Sequence, residues 1–195
     1  MLLTLTTIVV VFGGAIFLSL ALNNDAAVNT AVSNNGDLAC TAMEPLWLQA
    51  QAVPTASQVP CLNHPLPVGW ELKLLAVNAG RSVITIGHDR AGPQAVEITL
   101  TATCDPTGAT AVGSPAPGVE RSQRLDQLTG SVFAAVWFDR FQGGCITYRL
   151  HSTRDPEGRF AAELPAVVGL VSRGSLDQAL QERSDGRLRL DPDER

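Results

Sequence analysis

The sequence predicts a mainly β domain, an antiparallel sheet or small sandwich with one or two short helices, stapled by disulfides behind an N-terminal transmembrane helix. Three observations carry this. Runs such as WELKLLAV, SVITIG and AVEITLTAT alternate or cluster apolar and β-branched residues between glycine- and proline-bearing turns. The cysteines form an even set, Cys40, Cys61, Cys104 and Cys145. Leu2 to Leu22, LLTLTTIVVVFGGAIFLSLAL, carries no charge.

That apolar run has 21 residues, enough at about 1.5 Å per residue to cross a hydrocarbon core of about 30 Å. A cleaved signal peptide is the alternative, but its apolar region usually has about 7–15 residues behind a basic start. Here no basic residue precedes the run, and Ser19-Leu20-Ala21 is a weak cleavage site. Residues 1–22 are therefore expected to be a signal anchor. From residue 23 to 72 the chain carries Asp25, Asp37, Glu44 and Glu71 but no lysine or arginine, and a segment without positive charge translocates readily. The expected location is the cell membrane, single-pass, with the N-terminus in the cytoplasm and the C-terminal domain outside.

Residues 23–37, NNDAAVNTAVSNNGD, read as a polar linker, 38–190 as the folded domain and 191–195 as a charged tail. Within the domain, one short helix is expected from Pro45 to Ala52, stopped by Pro54. Three strands follow, Trp70 to Val77, Ser82 to Gly87 and Ala95 to Thr103, with turns at Ala79-Gly80 and Ala91-Gly92-Pro93. Asp105 to Gly118 reads as a glycine- and proline-rich loop, and Val119 to Thr129 as a polar run. Two further strands, Ser131 to Phe138 and Cys145 to Ser152, flank Arg140 to Gly144 as a hairpin. Pro165 to Ser172 reads as a buried strand or a short helix. Ser175 with Gln178 matches a capping box opening a helix to about Arg183.

Four cysteines allow three pairings, and no Cys-x-x-Cys spacing suggests a redox pair or a zinc ribbon. Cys40 with Cys61 and Cys104 with Cys145 is the favoured set, the first bracketing a proline-rich segment and the second joining two expected strands. In the chain-entropy view, loops of these sizes contribute about 3 and 4 kcal/mol.

Two loops are candidate binding sites: His88, Asp89 and Arg90 at a strand end, and Asp139, Arg140 and Phe141 in the DRFQGG turn, where a carboxylate, a cation and an aromatic meet. His88 beside Asp89 admits a hydrolase reading, but neighbours on a strand point to opposite faces, and a turn with Arg90 solvated is the favoured one. Ser82 lacks the G-x-S-x-G elbow of an activated serine. Trp47, Trp70, Trp137, Phe138 and Phe141 could stack on a sugar, although core duty is the default for aromatics. His64, His88 and His151 show no helical i,i+4 spacing, so no metal site and no cofactor is expected.

The segment QAVPTASQVPC ending at Cys61, then LPVGW ending at Trp70, DRAG from Asp89 to Gly92 and GGC ending at Cys145 resemble a group of uncharacterised, single-pass membrane-anchored proteins of actinobacteria. The resemblance runs from Cys40 to about His151. It implies a cell-envelope setting and brings no catalytic residues with it.

A chain with 19 acidic against 14 basic residues and a net charge of -5 lacks the basic surface that nucleic-acid binding uses. With no assembled catalytic constellation, the expected function is an extracytoplasmic interaction or ligand-binding module. Its partners would be the bilayer, through residues 2–22, and another membrane or envelope protein. A structural envelope protein without a specific ligand is the alternative, and a hydrolase using His88 and Asp89 the remote one.

Overall fold

The structure, a computed structural model, describes residues 28–30, 39–130 and 132–191. The expected anchor at 2–22 lies outside them, as do residues 192–195 of the tail. Among the described residues no helix is long and apolar enough to cross a membrane.

Among the described residues, ten strands form two sheets. The larger runs in the order β1 (Val28–Thr30), β3 (Trp70–Asn78), β4 (Arg81–His88), β5 (Gly92–Thr101), β9 (Gly144–Ser152), β8 (Val132–Phe141), β7 (Glu120–Thr129) and β6 (Thr110–Ala111). Every pairing in it is antiparallel. The smaller sheet pairs β2 (Gln58–Leu62) with β10 (Val168–Ser172). The described residues also form three short helices: α1 (Met43–Ala52), α2 (Leu164–Val167) and α3 (Arg173–Arg183). A 3-10 turn, Arg159–Glu163, leads into α2.

The large sheet has an apolar and a polar face, and register shows why. One row joins Leu72, Ile86, Val96, Leu150 and Ala135 across five strands, and the next joins Leu75, Ile84, Ile98, Tyr148 and Trp137. With Phe160, Leu164 and Val167 packed over them, these side chains form the main core. The alternate rows hold Glu97, Arg149 and Arg124, then Thr99, Thr147 and Ser122. An antiparallel sheet with one covered and one wet face needs this period of two. We call the two sides the covered face and the open face.

A second cluster joins Leu46 and Ala50 of α1 to Leu176 and Leu180 of α3, with Val59 and Leu190. Both disulfides join cysteines in the expected pairs, Cys40–Cys61 and Cys104–Cys145, and no described cysteine is free. The second bridge presses the 102–119 loop onto the open face, where Ala109 and Cys104 pack on Val136 and Phe138.

Several elements depart from expectation. Residues 28–30, inside the expected linker, pair with β3 as an edge strand. The polar run 119–129 is a full strand, β7, because β8 supplies a ladder for backbone groups that the side chains did not advertise. Pro165 to Ser172 is helix and then strand. The cap of α3 is Ser172, which accepts from the Ser175 N–H, so the helix starts one turn before the expected capping box.

Candidate functional site

His88 ends β4 and is only 3% exposed. Its ring lies edge-on to Trp70 with centroids 4.7 Å apart, and Phe160 closes the other side at 6.2 Å. The Arg90 backbone N–H donates to His88 Nδ1 at 3.2 Å, while Nε2 faces a Glu163 carboxylate oxygen at 3.6 Å. Glu163 also accepts from the Trp70 indole N–H at 3.0 Å and from the Arg90 guanidinium. The Trp70 hydrogen bond, helped by Arg90 and opposed by partial burial, holds the Glu163 carboxyl below its usual value.

The arrangement fastens the β4–β5 turn to the 3-10 turn. A general base needs a free lone pair, and that of Nδ1 is engaged by a backbone N–H. Asp89 points outward, its side chain 65% exposed with Oδ1 3.4 Å from Nδ1. Arg90, expected to be solvated, is paired with Glu163, and His88, expected at a surface turn, is in the core. Glu163 was not legible as a member of this cluster, because it lies 93 residues from Trp70 in sequence.

The second candidate trio does not converge. β8 continues through Phe141, leaving Gln142 and Gly143 as the turn, so Asp139, Arg140 and Phe141 alternate faces instead of meeting on a loop. Asp139 is fully buried on the covered face. It accepts two bonds from Arg121, Nε at 2.6 Å and Nη2 at 2.5 Å, and one from the Tyr148 hydroxyl at 2.9 Å. The Arg121 guanidinium lies 5.5 Å from the centroids of both Trp137 and Tyr148. Burial pushes the Tyr148 hydroxyl well above its ordinary pKa, and the Asp139 charge adds to this. Burial works against the charge on Arg121, but Asp139 more than restores it. Arg140 pairs with Glu120 on the open face at 2.8 Å, and Phe141 rests against the main core.

The turn is fixed by close approach. Thr55 donates to the Gly143 carbonyl at 2.6 Å and the Ser57 N–H to the Gln142 carbonyl at 3.0 Å. Gly143 has φ 69°, and a Cβ there would overlap the Thr55 carbonyl.

Ser82 is buried and donates to Gln49 Oε1 at 3.1 Å, whose amide in turn donates to the Pro60 carbonyl. Among the described residues no group of three or more histidines, cysteines or carboxylates is placed to hold a metal ion.

Two larger grooves lie on opposite faces of the large sheet. On the covered face, beyond the reach of the helices, a groove of about 560 Å³ is lined by Trp137, Phe133, Leu125 and Ala161. Trp70 and Phe138 are buried and Trp47 packs on the second cluster, so of the aromatics singled out in the sequence Trp137 is the one in this groove. On the open face a groove of about 400 Å³ runs between the strand surface and the loop held by Cys104–Cys145. Its floor carries Thr99 and Thr147, cross-strand partners, and its rim carries Arg81, Arg124 and Arg149.

Comparisons of the chain with protein-family models, with curated proteins and with solved structures return no match.

Proposed function

We propose that the chain is a membrane-anchored, extracytoplasmic interaction or ligand-binding module of the cell envelope, held in the bilayer by residues 2–22 with the N-terminus in the cytoplasm. The observation that carries this reading is the cysteine chemistry. Both described pairs are closed, and paired cysteines persist in oxidising compartments but not in a reducing cytosol. One bridge also shapes a groove, since it holds the loop that walls the open face. The uncharged run Leu2 to Leu22 supports the anchor. The resemblance read from the segments ending at Cys61, Trp70, Gly92 and Cys145 agrees with the setting, and the two open grooves support a binding role over a hydrolytic one, because His88 is buried and its Nδ1 is taken by a backbone N–H.

The test has two parts. Washing membranes with alkaline carbonate should leave a full-length chain in the pellet, and peptide mapping without reduction should recover both bridges. Crosslinking on intact membranes followed by affinity capture should then isolate a membrane or envelope partner. A soluble form beginning near Leu22, or quantitative labelling of four thiols in the unreduced chain, overturns the reading.

A further inference from the structure

Strand direction fixes where the domain meets its anchor. Val28 pairs with Val77 and Thr30 with Leu75, so the chain enters β1 at the end of the large sheet where β3 turns into β4. Register carries that end across the sheet: Arg81 lies beside Thr101, Thr101 beside Cys145, Cys145 beside Arg140 and Arg140 beside Glu120. The opposite end holds Trp70, His88 and Gly92.

Reach then limits orientation. With residues 2–22 filling the hydrocarbon core, the chain leaves it at Leu22, six residue steps before Val28, at most about 22 Å of chain. β3 runs from Trp70 to Asn78, about 26 Å at the usual strand rise. Turned with its Trp70 end toward the bilayer, the domain would hold Val28 about 26 Å above a headgroup layer itself about 5–7 Å thick. The tether falls short of that by roughly 10 Å.

The two ends also differ in chemistry. At the tether end, the connections 53–57, 79–80, 102–104, 112–119 and 142–143 carry no charged side chain. The Ser57 N–H donates to the Gln142 carbonyl and the Gly80 N–H to the Ala52 carbonyl, which gathers the first of these with the two turns. Arg81 and the Arg140–Glu120 pair flank them, and Asp177 and Asp191 stand with Arg173 at their helical corner. At the far end, 89–91 and 153–158 alone hold Asp89, Arg90, Arg154, Asp155 and Glu157. Small uncharged residues lose little when hydration is stripped against a headgroup layer, whereas charged ones lose much.

We infer that the domain stands end-on at the membrane: the surface formed by the 79–80 and 142–143 turns with the 112–119 loop rests against lipid headgroups, and the His88 end points away from the bilayer. This deepens the membrane-anchored reading and rests on it.

The experiment places one thiol-linked fluorophore at a time on the full-length chain, through Ala79→Cys, Gln142→Cys or Val68→Cys, all at exposed positions. The described native cysteines are closed and do not compete for label. Each chain is reconstituted into vesicles of phosphatidylcholine and phosphatidylglycerol containing a lipid with a nitroxide on its headgroup. Quenching should be at least about threefold stronger at 79 and 142 than at 68, because the two ends of β3 lie about 26 Å apart. Unfolding midpoints close to that of the native chain show that the fold is kept, and two positions at the tether end preserve the comparison when one variant fails to fold. Equal quenching at 79 and 68 with little at 142 means that the β1 edge lies along the bilayer, which overturns the end-on surface. Quenching strongest at 68, or absent at all three in a chain that floats with the vesicles, overturns it as well. A chain that does not float with them overturns the anchor reading itself, so the two failures are distinct.

Discussion

Arg121 with Asp139 and Arg90 with Glu163 are the same chemical pair in different surroundings. Asp139 is fully buried, takes three hydrogen bonds and faces two aromatic rings across its partner. Glu163 keeps a side chain 36% exposed and is oriented by one indole N–H. In the first pair, desolvation makes each member depend on the other, so loss of either strands a charge. In the second, water screens the interaction and replaces a lost partner. Burial, more than the identity of the groups, decides what a pair contributes.

Removing the carboxylate of the buried pair should have the largest effect. Asp139→Ala is expected to destabilise the domain by about 3–5 kcal/mol, read as a shift in the urea midpoint. A shift below that of Glu163→Gln would break the comparison. Opening the Cys104–Cys145 bridge by Cys145→Ser should cost about 2–4 kcal/mol and lower the melting temperature, a change that reaches the open-face groove without touching either ion pair. Within the outer cluster, His88→Ala should cost about 2 kcal/mol, because the ring fills a space between Trp70 and Phe160. Asp89→Asn next to it should stay within about 0.5 kcal/mol, and equal losses for the two would put His88 back at the surface.

The smallest effect is a pH dependence. Because the Glu163 carboxyl has its pKa lowered in the folded chain, its contribution is present above the unfolded-state value and is lost as the pH falls through the folded one. Glu163→Gln should therefore be less stable than the native chain near neutrality, and the difference should shrink in acid. A difference that grows on acidification would reverse the sign assigned to this group.

Strands β3, β4, β5, β8 and β9 were legible because their apolar residues recur with a period of two, a signal held in a few consecutive residues. β7 was not, since its side chains are polar and only its neighbour β8 makes it a strand. β2 lacked the signal as well, and it pairs with β10 across more than a hundred residues of chain. Of the bridges, Cys104–Cys145 was favoured from the two strands it was expected to join and Cys40–Cys61 from the proline-rich segment it brackets. The groove floor was not legible, because Thr99 and Thr147 become neighbours only through the β5–β9 register.

The amino-acid sequence on its own determined the mainly β class, the even cysteine set, the uncharged N-terminal run and the acidic balance. Each is written in composition or in local spacing, which the chain carries before it folds. Tertiary structure alone decided that Asp139 is buried and Arg140 is not, that His88 meets Glu163, and that two threonines and two arginines share a groove. Those outcomes depend on which strand lies beside which, and on which face a single-residue step in register turns toward the core.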